Sequence, residues 1–114
     1  MNGKRVILLL NDRKGISLVL FDLPVANNMQ IREYNRFRAF LKDNGYRQLQ
    51  KSVYIKLLRD SRYMSDEAIK IEGQAPEDGN VCIIPFTLNM FKKSKFIGNC
   101  KFDMSVFSDD IVII

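Results

Sequence analysis

Strand-like hydrophobic runs alternate with helix-like ones along this chain, and the switch occurs twice. Ile16–Phe21 is a β-prone run that stops at Asp22-Leu23-Pro24, where Pro24 cannot donate to a sheet and biases Leu23 away from helix. Ile31, Tyr34, Phe37 and Leu41 then recur at helical spacing, with Phe40 widening the stripe. Asn27 is placed to cap this helix over 28–44, with Gln30 three positions on, and Asn44-Gly45 supplies a left-handed stop. Strand character returns over 46–58, where Val53, Ile55 and Leu57 alternate with Ser52, Tyr54 and Lys56. The polar Gln50-Lys51-Ser52 allows two short strands or one bulged strand.

Residues 65–72 suit a second, shorter helix with Asp66 and Glu67 in its first turn, where the helix dipole favours negative charge. After a loop from Gly73 to Gly79, Asn80–Phe86 reads as another strand, and Pro85 suggests an edge or an end. Thr87–Phe91 fits one turn of helix and Phe96–Cys100 a strand. The order is the split βαβ, ferredoxin-like pattern of an α+β domain: an antiparallel sheet with two helices on one face. The other face needs cover, and a second copy of the chain is the simplest cover, giving a homodimer through the sheet faces.

One domain spans 1–114, the size expected for a single core. Val6–Leu10, with the turn-forming Asn11–Gly15, makes 1–15 an added strand and turn in hairpin with Ile16–Phe21. The tail over 101–114 ends in β-prone Ile111–Ile114, suited to pairing with a partner subunit or a sheet edge. Apolar stretches fall far short of the ~20 residues needed to cross a bilayer, so no membrane partner is expected. Asn11-Asp12-Arg13-Lys14 stands where a signal peptide would need small residues.

Histidine is absent, which removes the usual general base at neutral pH and every Ser–His or Cys–His nucleophile pair. Cys82 and Cys100 form no CxxC, so a zinc site is not expected; Cys82 lies in an apolar run and reads as a core residue. A reducing, cytoplasmic setting fits this usage.

The formal charge of +5 is concentrated. Between Gln30 and Arg62 nine basic residues face only Glu33, Asp43 and Asp60, whereas residues 65–80 are locally acidic. Such charges also coat ordinary solvated faces, but the arginine bias suits phosphate, because a planar guanidinium matches backbone oxygens. The aromatic consensus of RNA-recognition sheets is missing, so sequence-independent binding is the better expectation.

Asp22, at a strand end before Leu-Pro, is the most suggestive single residue. Capping a turn is the commoner role of such an Asp. A lone carboxylate makes a poor magnesium site, but a symmetric dimer would bring two copies together around one Mg²⁺. Ser52 and Tyr54 carry weaker signals: they could bind phosphate or order water, but polar residues on an alternating strand usually just face solvent.

Three segments together resemble one family. They are Phe21-Asp22-Leu23-Pro24 after an apolar strand; Tyr34-x-x-Phe37-Arg38-x-Phe40-Leu41 followed by Gly45-Tyr46 and Leu49-Gln50-Lys51-Ser52-Val53-Tyr54; and Gly79-Asn80-Val81. The arrangement over residues 17–100 is similar to the small CRISPR-associated adaptation protein, the second of the pair that installs new spacers. Its helix looks most like versions from systems with a single large RNA-guided nuclease. The resemblance implies a ferredoxin-like homodimer in which Asp22 faces its twin and binds Mg²⁺, as metal ligand and catalytic residue of an endonuclease acting on RNA or duplex DNA. It also implies a non-catalytic role in spacer acquisition, where the dimer bridges two dimers of the CRISPR integrase subunit and grips duplex DNA. Arg32, Arg36 and Arg38 on the helix, and Lys51, Lys56 and Arg59 after it, fall where backbone contacts would be expected. The run before Ile16 is longer than the family core needs, and so is the tail after Cys100.

Overall fold

A computed structural model of the chain describes residues 13–99. The expectations for Val6–Leu10, Cys100 and the tail over 101–114 lie outside the described residues. Eight elements follow in order: β1 (Gly15–Asp22), α1 (Asn28–Asp43), β2 (Arg47–Gln50), β3 (Val53–Leu58), a 3-10 turn (Ser61–Tyr63), α2 (Met64–Glu72), β4 (Asn80–Thr87) and α3 (Leu88–Lys92).

The strands form one antiparallel sheet in the order β2-β3-β1-β4. This is the interleaved βαβ arrangement expected of a ferredoxin-like fold. The polar stretch at 50–52 resolves into two strands, with an irregular register between Gln48 and Gln50. β4 is an edge strand, which is why Pro85 is tolerated opposite Ser17.

Successive residues of a strand point to opposite faces, and β1 sorts cleanly by parity. Val19 and Phe21 join Phe37 and Leu41 of α1 and Ile71 of α2 in the main core, so both helices lie on one face. Phe21 sits edge-on to Phe37 with ring centroids 5.3 Å apart and stacks on Tyr54 at 5.7 Å. Such pairs add about 1 kcal/mol each beyond the area they bury.

The ends of α1 are fixed by local chemistry. Asn27 Oδ1 accepts the Gln30 N–H at 2.8 Å, and Gln30 Oε1 accepts the Ala26 N–H at 2.9 Å. A cap of this kind contributes about 1 kcal/mol. At the other end Gly45 takes φ +89°, the Gly45 N–H reaches Lys42 O at 3.2 Å, and the Tyr46 N–H reaches Leu41 O at 2.9 Å. This Schellman stop turns the chain so that Tyr46 enters the core beside Leu41.

The second sheet face carries Ile16, Leu18 and Leu20 of β1, aligned with Leu57, Ile55 and Val53 of β3 and with Phe86, Ile84 and Cys82 of β4. Leu88 and Phe91 of α3 cover the end around Ile16 and Ile55, both fully buried. Leu18, Leu57 and Phe86 are half-buried and pack against this cluster, but toward Asp22 the cover thins: Leu20, Val53 and Ile84 are half-buried outside it. Cys82 is exposed there, contrary to its reading as a core residue. Its register opposite Leu20 places it on this face, beyond the reach of α3's cluster.

Two other expectations change. Residues 96–99 form no strand; Phe96 packs against Phe91, with ring centroids 6.5 Å apart. Ile31 is 41% exposed, so the buried stripe of α1 narrows to Tyr34, Phe37, Phe40 and Leu41.

Candidate functional site

Asp22 closes β1 on the same face as Leu18 and Leu20, opposite Asn80 at the start of β4, and is exposed. Its backbone is held from both sides. On one side the Phe21 N–H donates to Ser52 O at 3.1 Å. On the other, Gly79 at φ +94° packs so closely that a Cβ there would stand 2.6 Å from the Asp22 carbonyl oxygen and 2.9 Å from Leu23. Only glycine meets both demands, positive φ and close approach. The carboxylate is thus presented from a stiff strand end, beside the half-buried apolar stripe.

One chain contributes this single carboxylate. Among the described residues no group of three or more His, Cys, Asp or Glu side chains gathers to hold a metal ion. Asp22 also has no ion-pair partner among the described residues. A single exposed carboxylate is a poor Mg²⁺ site by itself, since the ion takes one or two carboxylates together with water and phosphate oxygens.

The six basic residues singled out in the sequence separate into two sets. Arg32, Lys51 and Arg59 are exposed. Arg36, Arg38 and Lys56 are engaged within the chain. Arg36 pairs with Glu33 at 2.9 Å and donates to Gln74 O at 2.9 Å and Gln74 Oε1 at 3.2 Å, tying α1 to the loop after α2. This pairing holds the Glu33 carboxyl below its ordinary range. Arg38 Nε donates to the Tyr54 hydroxyl at 3.0 Å, and its guanidinium lies 5.6 Å from the centre of the Tyr34 ring. Lys56 Nζ lies 2.8 Å from Glu67 Oε1 and 5.6 Å from the centre of the Tyr46 ring.

Tyr54 itself is fully buried on the helix side, not solvent-facing, because Val53, Ile55 and Leu57 take the opposite parity. Glu67 was readable only as a first-turn residue of a helix, yet it is 6% exposed and joins Lys56, Tyr46 and Lys70. The available signal was its spacing: Glu67 lies four residues before buried Ile71 and shares its helix face. Gly79 and Asn80 belong to the Gly79-Asn80-Val81 segment of the sequence, but their closeness to Asp22 is a property of the register.

Among the described residues, no helix is long and apolar enough to cross a membrane.

The model of a family described as "CRISPR associated protein Cas2" matches residues 16–94. A protein of Acidovorax ebreus named "CRISPR-associated endoribonuclease Cas2" is 32% identical over 80 residues, covering 70% of this chain and 78% of that protein. A protein of the same name from Lacticaseibacillus rhamnosus is 31% identical over 98 residues, covering 85% of this chain and 97% of that protein. A solved structure described as "Crystal structure of cas2" superposes with a TM-score of 0.56 at 21% identity, over 80% of this chain and 94% of that one. The last likeness is one of fold.

Proposed function

This chain belongs to the CRISPR-associated Cas2 family, and from that premise we propose that it is a cytoplasmic spacer-acquisition protein that acts as a DNA-binding homodimer. Two copies join through the sheet faces opposite α1 and α2, grip the phosphate backbone of a duplex without reading its sequence, and bridge two dimers of the integrase subunit. The observation that carries this reading is the uneven cover of the second sheet face. Leu20, Val53 and Ile84 stay half-buried toward the Asp22 end, outside the cluster that α3 covers, where a second copy would remove them from water. Arg32, Lys51 and Arg59 are free to reach phosphate. Arg36, Arg38 and Lys56 lend positive potential while also serving the fold.

A second reading is a magnesium-dependent endoribonuclease. The names of the relatives and the exposed strand-end position of Asp22 favour it. Asp22 and its copy in the second chain would hold the ion, and bound Mg²⁺ would supply an activated water at neutral pH. Asp22 is then the ligand and Gly79 sets where its backbone stands. No histidine is present to act as general base.

A nuclease assay on duplex DNA and single-stranded RNA, with and without Mg²⁺, tests the pair of readings. The bridge reading expects no cutting by wild type or Asp22→Ala, with duplex binding intact in both. Magnesium-dependent cutting that vanishes in Asp22→Ala would make the protein an enzyme. Loss of duplex binding by the well-folded wild type would overturn the bridge.

A further inference from the structure

A cavity of about 380 Å³ opens on the helix side, between the start of α1 and the loop that joins α2 to β4. Its floor is apolar: Leu23, Pro24, Tyr34 and Pro76 line it, with Met29 on the rim. Its other rim is acidic, from Glu77 and Asp78. Glu33 also lines it, but that carboxylate is taken by Arg36. Glu77 and Asp78 have no ion-pair partner among the described residues. Met29 is 68% exposed and the nearby Val25 53%, high values for large apolar side chains.

The walls of this cleft are fixed before anything enters. Arg36 grips the loop at Gln74 through two hydrogen bonds. Gly79 packs the far end of the same loop against Asp22 and Leu23. A loop pinned at both ends costs little further ordering when a ligand binds.

We propose that this cleft docks a short basic segment of a protein partner, with one aliphatic or aromatic side chain seated over Tyr34 and Leu23 and adjoining Lys or Arg side chains on Glu77 and Asp78. Charge complementarity selects this occupant. The chain as a whole is +5, so an unpaired acidic rim repels nucleic acid locally while attracting a cationic peptide. A volume of this size accepts one or two large side chains and not a folded element. The inference goes beyond the proposed function and does not depend on duplex binding or on Asp22.

The test is selection of a displayed random dodecapeptide library on the full chain, followed by affinity measurements with the enriched peptides. Wild type is compared with the Glu77→Lys/Asp78→Lys double variant and with Met29→Asp. All three positions are exposed, so unchanged thermal melts verify the fold. The expected result is enrichment of an apolar residue flanked by Lys or Arg, with binding at least tenfold weaker to each variant. Amide NMR shifts on peptide addition should fall at 23–34 and 74–79. Failure to enrich, enrichment of acidic or neutral peptides, or equal binding to the double variant would overturn the proposal. So would a double variant that loses self-association or duplex binding, which would assign the cleft to a second copy or to nucleic acid.

Discussion

The hydroxyl of Ser17 in β1 lies 2.8 Å from the hydroxyl of Tyr46, inside the core and 29 residues away in sequence. The chain of polar groups continues from Tyr46 to Glu67 Oε1 at 3.3 Å, and Lys56 Nζ meets the same oxygen at 2.8 Å. β1, the residue that leads into β2, α2 and β3 are therefore joined by one polar path through an otherwise apolar layer. Among the described residues no buried side-chain polar atom lacks a partner.

Removing Glu67 strands the Lys56 ammonium and leaves the Tyr46 hydroxyl with Ser17 as its partner. Because the Lys56 side chain retains 22% exposure, it can turn partly to water and lessen the loss. Glu67→Ala is expected to cost about 2–3 kcal/mol in urea unfolding. Lys56→Met combined with Glu67→Met should cost less than Glu67→Ala alone, because no buried charge is left behind.

Burial pushes the Tyr46 hydroxyl well above the ordinary tyrosine range, with the Ser17 hydrogen bond opposing and Glu67 adding to the rise. In the unfolded chain Tyr46 loses its proton near about pH 10. Above that pH the unfolded state binds fewer protons than the native state, so stability falls as pH rises. This contribution is whole below the unfolded pKa and declines by up to about 1.4 kcal/mol per pH unit above it. Urea midpoints measured from pH 8 to 11 should fall more steeply for wild type than for Tyr46→Phe.

Gly79 keeps Asp22 in place. Gly79→Ala must place a Cβ 2.6 Å from the Asp22 carbonyl oxygen at a backbone φ of +94°. The expected loss is about 2 kcal/mol from backbone strain alone. An amide NMR spectrum should show shifts centred on 21–23 and 79–81, with residues around Leu88 and Phe91 unmoved.

Free and engaged basic residues should behave differently. Arg32→Ala, Lys51→Ala and Arg59→Ala are expected to weaken duplex binding of every sequence alike while leaving the melting temperature unchanged. Each lost phosphate contact should lower the slope of log K against log[salt] by about 0.9. Arg38→Ala and Lys56→Ala should in addition lower the melting temperature, because their partners are Tyr54 and Glu67. A melting temperature unmoved in Lys56→Ala would refute that division.

Most of the fold was legible because periodicity and punctuation agree along the chain. Pro24 marks the end of β1, Asn27 and Gly45 bracket α1, and Pro85 signals the edge position of β4. What was not legible depends on which face of the sheet a residue takes. Cys82 sits in an apolar run, yet its register with Leu20 sets it on the thinly covered face. Tyr54 alternates with apolar neighbours like a surface residue, but α1 and α2 cover its face of β3 while Ile55 on the other face is buried too, so alternation does not separate inside from outside. Arg38 and Lys56 read as charge alone, since their partners Tyr54 and Glu67 lie 16 and 11 residues away. Asp22 was legible as a strand-end carboxylate, whereas the glycine that fixes its backbone is joined to it only by the β1–β4 pairing.

The second sheet face is where the proposed function stands or falls. Leu20 is half-buried on its thinly covered part, opposite Val53 and Cys82, and a charge there would oppose burial by a second copy without disturbing the helix-side core. Sedimentation equilibrium at micromolar concentration, on wild type and Leu20→Glu, measures this directly. The expected result is a dimer for wild type and a folded monomer for Leu20→Glu that has also lost tight duplex binding. A wild-type chain that stays monomeric, or a Leu20→Glu chain that dimerises as strongly as wild type, would contradict pairing through this face.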